Sequence, residues 1–542
     1  MENELNIGMA FSGGGYRAAT FDLGALSFLN SIRMEDGRTL LSCVTALTSV
    51  SGGTIPALKY MLALAKGQPI DEMINELFDF LCNEDLVTHA MNGISAEKAN
   101  RDASSIKIMA GIYDKYLFKG AVMGDIIDKI SDIPVRDYTA LATDFDNSLP
   151  FRFRITYGYF TSGERISYGV FGNEEHNIGL SVARHITLGE TLACSSCFPS
   201  GFEPMMYPDD FQVSQQPDIA STIKSRFGIM DGGVVDNQGI SPLLLAEERL
   251  HTYREDQRRT DKAFDLAIIS DVAGEGMDGY VPSEQFLPKS VGRLTLGRLR
   301  NYGLISEAVV ISLFILALVL GNNFWLGVMT VILAIITLLN VIGALLKNKM
   351  YKAISSSFIG DRAQFLSHLK FASAEAMLMN RAKSIIMMSS EIFLHQLRRK
   401  SYDSIYTNNE WQNRRITSTI YELSPSKEKK NGKKITRKWQ QKGYPDELKP
   451  SDAIQQNSKL AASMGTTLWF TAEDKAAGMP QTILAAGQYN ICYNLLDYIY
   501  KIEKDPANIT PAHQLIIACK PQLQEAWQRF QQDPQWMVPK KK

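Results

Sequence analysis

Apolar runs alternate with glycine-rich stops in the first part of the chain, and the pattern predicts two strand-turn-helix units. Asn6 to Phe11 is a short, mostly apolar run read as a buried strand. It halts at Gly13-Gly14-Gly15, and Arg17 to Leu26 reads as the helix that follows. Leu40 to Thr48 repeats the arrangement as a second strand candidate. It stops at Ser49-Val50-Ser51-Gly52-Gly53 and continues into an apolar helix from Ile55 to Ala65. Much further on, Ala308 to Leu346 is a run of 39 residues without a charge, too long for one membrane span of about 20 residues. Gly321-Asn322-Asn323 divides it into a first segment beginning near Leu304, with Glu307 at the interface, and a second from Phe324 to Leu346. Two helices joined by a tight turn satisfy their own backbone groups in hydrocarbon.

The rest of the chain reads as helices and a linker. Asp361 to Lys400 has apolar residues at helical spacing, as in Phe365, Leu369, Ala372, Ala376 and Met379. Ser424 to Lys449 is polar and lysine-rich, with Lys427, Lys429, Lys430, Lys433, Lys434, Arg437 and Lys438, and reads as a solvated linker with anionic headgroups as a secondary contact. Ser463 to Tyr500 resumes a helical pattern, and Lys540 to Lys542 form a disordered tail. The expected division is 1–285 for a first domain, 286–350 for the hairpin with basic flanks, 351–423 for amphipathic helix, 424–450 for linker, and 451–542 for a helical region packing on the first domain.

Three patches carry candidate chemistry. A glycine turn at a helix start presents free N–H groups to negative charge, whether a phosphate or an oxyanion. In the second turn Ser51 is flanked by small residues, as a strained nucleophile elbow requires, although Ser49 stands where the G-x-S-x-G pattern has glycine. The third patch, Ile229 to Asn237, offers Asp231 among apolar Ile229, Met230, Val234 and Val235, with two glycines after it that allow close approach. Asp236 reads as a turn residue.

On these residues the chain resembles the patatin-like and cytosolic phospholipase A families of serine lipid acyl hydrolases, as a membrane-anchored, bacterial-type member. The glycine stretch with Arg17, the serine turn about forty residues on, and the late Asp231-Gly232-Gly233 stand in family order. Ala142-Thr143-Asp144 followed by Phe151-Arg152-Phe153, and Ala193 to Pro204 with its Ser195-Ser196 pair, add to the likeness. It covers roughly residues 5 to 275, with a fainter echo near Leu397-Arg398-Arg399 and Gly487-Gln488-Tyr489. The resemblance implies an α/β, three-layer hydrolase domain with a central, mainly parallel sheet. It implies a Ser51/Asp231 dyad without histidine, an oxyanion hole at Gly13, Gly14 and Gly15, and Arg17 near the lipid phosphate. Ser51 would attack the acyl carbonyl, and water would then hydrolyse the acyl-serine. A bare aspartate near its usual pKa of about 4 is a weak base, so such a dyad needs an apolar surround.

Composition narrows the alternatives. A net charge of −1 over 542 residues gives no overall bias toward nucleic acid. Six scattered cysteines read as reduced cytosolic thiols, Cys194-x-x-Cys197 included. The acidic start Met1-Glu2-Asn3-Glu4 has no apolar signal core. The seven histidines show no metal spacing, no EF-hand loop is present, and no cofactor is expected. Arg293, Arg298 and Arg300 before the hairpin, and Lys347, Lys349 and Lys352 after it, place the catalytic domain and both termini in the cytoplasm. The expected partners are a phospholipid substrate and the bilayer; the sequence names no activator and no oligomeric state. Three other readings remain: a Ser51, Asp231, His251 triad; a dinucleotide-binding protein using Gly13 to Ala18 with Glu35 or Asp36; and a catalytically inactive scaffold.

Overall fold

The computed structural model describes residues 5–539 apart from 85, 87, 90–103, 162–163, 200, 222, 224, 257–263, 275–279, 285–291, 322, 356–369, 389–391 and 427–435. The chain divides into two compact units, one of residues 1–277 and 393–542, the other of residues 278–392.

The first unit is a mixed α/β fold around a central sheet. Its strands are β1 (Ile7–Phe11), β2 (Val44–Val50), β3 (Asp137–Asp144), β4 (Leu149–Thr161), β5 (Glu164–Gly172), β6 (Asn177–Ile178), β7 (Met205–Tyr207), β8 (Phe227–Asp231), β9 (Leu266–Asp271) and β10 (Arg415–Thr419). The spatial order is β10-β9-β1-β2-β3-β4-β5-β6, with β8 also on β3 and β7 on β8. The run from β10 to β3 is parallel, and the remaining pairs are antiparallel. β1, β2 and β9 read as nearly unbroken apolar runs because both faces of a parallel sheet are covered by helices. β3 has a divided edge: Ala46 to Val50 of β2 lie opposite Asp137 to Leu141, and Ile229 to Asp231 of β8 take over opposite Asp144 to Ala142.

The two N-terminal strand-turn-helix units fall where the sequence places them, with α1 (Gly15–Ser31) after β1 and α2 (Thr54–Lys66) after β2. The C-terminal helix Met479–Glu503 packs on α1 at backbone distance. A Cβ on Gly24 would meet the Leu484 carbonyl at 2.2 Å, and one on Gly487 would meet the Phe21 carbonyl at 2.0 Å.

Two expectations are corrected here. The segment read as amphipathic helix contains the helices Phe371–Met387 and Phe393–Tyr406, but also strand β10, which extends the central sheet. Phe365 and Leu369 lie outside the described residues, and Ala376 and Met379 are exposed rather than buried. The lysines at 427, 429, 430, 433 and 434 also lie outside them, as do Lys540 to Lys542. Arg437, however, is no linker residue: it is buried and donates to the Ser424 carbonyl (3.0 Å) and the Ser424 hydroxyl (2.6 Å). Burial beside a pair of acceptors, rather than solvation, holds this cation.

The second unit contains the helices Leu296–Val319 and Asn323–Ser355. Their windows Asn301–Val319 and Asn323–Val341 each have a mean hydropathy of 2.3 and are 6% and 0% buried. Both helices are long and apolar enough to cross a membrane. The break falls at Gly321, whose φ of +61° suits a residue without a side chain.

Candidate active site

Strand β3 acts as the template that brings two distant turns together. Val50, the last residue of β2, lies opposite Leu141, and Asp231, the last residue of β8, lies opposite Ala142. Consecutive residues of β3 therefore set Ser51 and Asp231 side by side. Ser51 adopts φ +51°, in the left-handed region that disfavours a side chain. The 3-10 turn Ser51–Gly53 leads into α2, so this is the geometry of a strained elbow.

The elbow and the first glycine turn meet backbone to backbone. A Cβ on Gly52 would lie 2.1 Å from the Gly15 carbonyl and 2.6 Å from its nitrogen. Only glycine allows that approach. The Gly13 amide donates to the Asn237 carbonyl (2.9 Å) and the Tyr16 amide to the Thr467 carbonyl (2.8 Å). Among the described residues, the amides of Gly14 and Gly15 donate to no backbone carbonyl, and both precede or open α1. Two unspent N–H groups at a helix start are a site for developing negative charge.

Asp231 is 5% exposed. Burial pushes its carboxyl up to about 6, against the opposing pull of the Gly233 amide and the Ser51 hydroxyl, both of which bond the charged form. The Gly233 amide donates to Oδ1 at 2.7 Å, and Thr143 donates to the Asp231 carbonyl at 2.7 Å. Ser51 is thus the hydroxyl next to a carboxyl whose pKa burial has raised. Asp236, five residues on, accepts from the Gln238 and Ser241 amides (3.1 and 2.6 Å) and from Ser401, which makes it the turn residue its sequence context suggests.

Arg17 sits beneath a loop of the C-terminal region. Its guanidinium donates to the Met464 carbonyl, and burial lowers its pKa to about 10, against the attraction of Asp271. Phe470 meets Tyr16 edge-on at 5.6 Å. The 464–470 loop, with the Thr467 carbonyl against Gly15, is part of the site that sequence reasoning missed. In the Leu397-Arg398-Arg399 stretch, Arg398 donates to Asp271 at 2.8 Å, as does Tyr402. Asp36, a candidate ribose ligand in the dinucleotide reading, is turned onto Arg38 at an exposed loop. The side chain of His251 lies outside the described residues. Cys194 and Cys197 are buried thiols with separate partners, the Met205 sulfur and the Glu203 carbonyl.

No family model matches the chain, and no curated protein does. Among solved structures, human GIVD cytosolic phospholipase A2 is similar at 14% identity over 50% of this chain and 43% of that chain, with a TM-score of 0.31. The same enzyme in complex with methyl gamma-linolenyl fluorophosphonate matches at 15% identity over 50% of this chain and 41% of that one, with a TM-score of 0.28. The chain thus overlaps less than half the length of these structures.

Proposed function

We propose that the chain is a membrane-anchored serine lipid acyl hydrolase that cleaves phospholipid esters through an acyl-serine on Ser51, with Asp231 as the base. The observation that supports this reading most is a strained Ser51 whose hydroxyl faces a buried carboxylate of raised pKa, beside two unspent helix-start amides. In this account Asp231 takes the Ser51 proton as Oγ attacks the acyl carbonyl, and the amides of Gly14 and Gly15 stabilise the oxyanion. The proton then passes to the departing lysolipid oxygen. Asp231 next deprotonates water, which attacks the acyl-serine, releases the fatty acid and restores Ser51. Gly13, whose amide is spent on Asn237, shapes the turn rather than donating to the oxyanion. Arg17 fastens the glycine turn to the 464–470 loop, and a lipid phosphate would reach it only by displacing the Met464 carbonyl.

The two apolar helices of the second unit are assigned to the bilayer, with the basic flanks placing the catalytic domain and both termini in the cytoplasm. Anchoring raises encounter with lipid and leaves the chemistry to the Ser51 site. Fatty-acid release from mixed phospholipid vesicles tests the reading, with detergent-purified wild type compared with Ser51→Ala and Asp231→Ala. Release lost in both folded variants is expected. Release undiminished in Ser51→Ala would refute it.

A further inference from the structure

We propose that Ser195 is a positioning residue that holds the Ser51 elbow and the Asp231 turn in one register. The inference rests on the Ser51/Asp231 reading above. Ser195 lies in the last turn of the helix Leu188–Ser196 and is fully buried. Its hydroxyl has three partners: it donates to the Leu141 carbonyl at 2.7 Å, accepts from the Ser51 amide at 3.0 Å, and lies 2.9 Å from the Thr54 hydroxyl. A hydroxyl has one proton and two lone pairs. With the proton given to Leu141, one lone pair receives the Ser51 amide, and the Thr54 hydroxyl, which also lies 3.2 Å from the Ser49 hydroxyl, packs against the other.

The main chain of the same residue reaches the other half of the dyad. The last carbonyls of a helix lack intrahelical donors, and the Ser195 carbonyl accepts from the Gly232 amide at 3.3 Å. Two residues on, the Cys197 carbonyl accepts from the Asp231 amide at 3.0 Å. Leu141, whose carbonyl accepts the Ser195 hydrogen bond, is the β3 residue opposite Val50 and next to the partner of Asp231. One helix end thereby joins β2, β3, α2 and β8 at the place where Ser51 and Asp231 face each other. Its bond to Ser51 is made at the residue with φ +51°, a strained conformation that persists only where the surroundings impose it. Ser195 acts through the backbone of Ser51, so its loss should displace the nucleophile without altering what binds the lipid. A displacement of about 1 Å can cost on the order of 100-fold in rate.

The test compares Ser195→Thr, Ser195→Val and Ser195→Ala in the full detergent-solubilised chain. Threonine and valine share a shape and differ by the hydroxyl, so strain from the added methyl cancels between them, while alanine removes the hydroxyl without added volume. Valine and alanine should lower kcat for fatty-acid release by on the order of 100-fold with KM unchanged, and threonine should restore most of it. Deuterium uptake at the Ser51 amide should rise in the valine and alanine variants and stay near wild type in the threonine variant. Equal uptake in the threonine and valine variants would overturn the inference, as would a loss carried by KM. Uptake reads the contact without chemistry. A protein with no fatty-acid release but a threonine-valine difference in uptake would therefore sink the hydrolase reading and leave the positioning role standing.

Discussion

The sheet-bearing unit and the unit with the two long apolar helices handle polar groups in opposite ways. In the first, buried carboxylates are paired: Asp137 is fully buried and accepts from Arg249 at 2.8 and 2.9 Å, and Asp271 is held by Arg398 and Tyr402. In the second, Leu316, Val319, Phe324 and Leu339 point outward, while Glu307 accepts from Thr337 and Asn340 across the helix pair, each at 2.9 Å. In the proposed reading the sheet unit faces water and the helix pair an apolar exterior. Chemistry should therefore fail through the first unit and membrane residence through the second.

Mutations can break that division in order of expected effect. Ser51→Ala should reduce ester cleavage by on the order of 10⁴-fold or more and leave sedimentation with membranes intact. Gly15→Ala should come next, since its φ is +57° and a Cβ there would meet the Thr467 carbonyl at 2.1 Å. With the oxyanion turn disturbed, kcat should fall by on the order of 100- to 1000-fold, again without loss of membrane association. Ile311→Arg combined with Ile332→Arg should do the reverse. Each arginine near a span centre costs about 2.5–3.5 kcal/mol of insertion, so the protein should leave the membrane fraction. Cleavage of a water-soluble ester should survive.

Asp231→Asn sharpens the comparison through its sign. A buried acid whose folded pKa is raised from 3.8 to about 6 favours the folded state fully below about pH 4 and loses that contribution as pH rises through 6. At pH 7 the ionised group costs up to about 3 kcal/mol, so the asparagine variant should unfold at a higher temperature than wild type while losing activity. In the wild type, kcat/KM should climb with pH up to about 6, the range over which Asp231 becomes a base and stability declines. The smallest effect is expected at Glu307→Gln, which keeps hydrogen-bonding atoms but removes the charge; interhelical polar contacts in bilayers average about 0.6 kcal/mol, measurable as a modest shift in hairpin unfolding.

The turns were legible in the sequence because glycine and serine report local backbone demands directly. Gly52 leaves room for the backbone of Gly15, and Gly15 for the backbone of Thr467. The apolar hairpin was legible because an uncharged run of that length, broken once at a glycine turn, offers no polar face to water on either helix. Strand β10 was not: Arg-Ile-Thr-Ser-Thr is short and polar, with Ile416 its only large apolar side chain, and only pairing with β9 makes it a strand. Arg437 was hidden by the lysines around it, since composition cannot show that one cation in a run is buried. The meeting of Thr467 with Gly15, and of Leu141 with Ser51 and the turn at Gly232 through Ser195, depends on register between segments far apart in the chain. No local spacing encodes that.

The most direct measurement is the site of covalent capture by a fluorophosphonate, mapped by mass spectrometry on the intact, detergent-solubilised chain. An adduct on Ser51 in wild type, absent in Ser51→Ala and formed far more slowly in Asp231→Asn, is the expected result. An adduct on another residue, or labelling of Ser51 that proceeds equally fast without the Asp231 carboxylate, would contradict the assignment of these two residues as nucleophile and base.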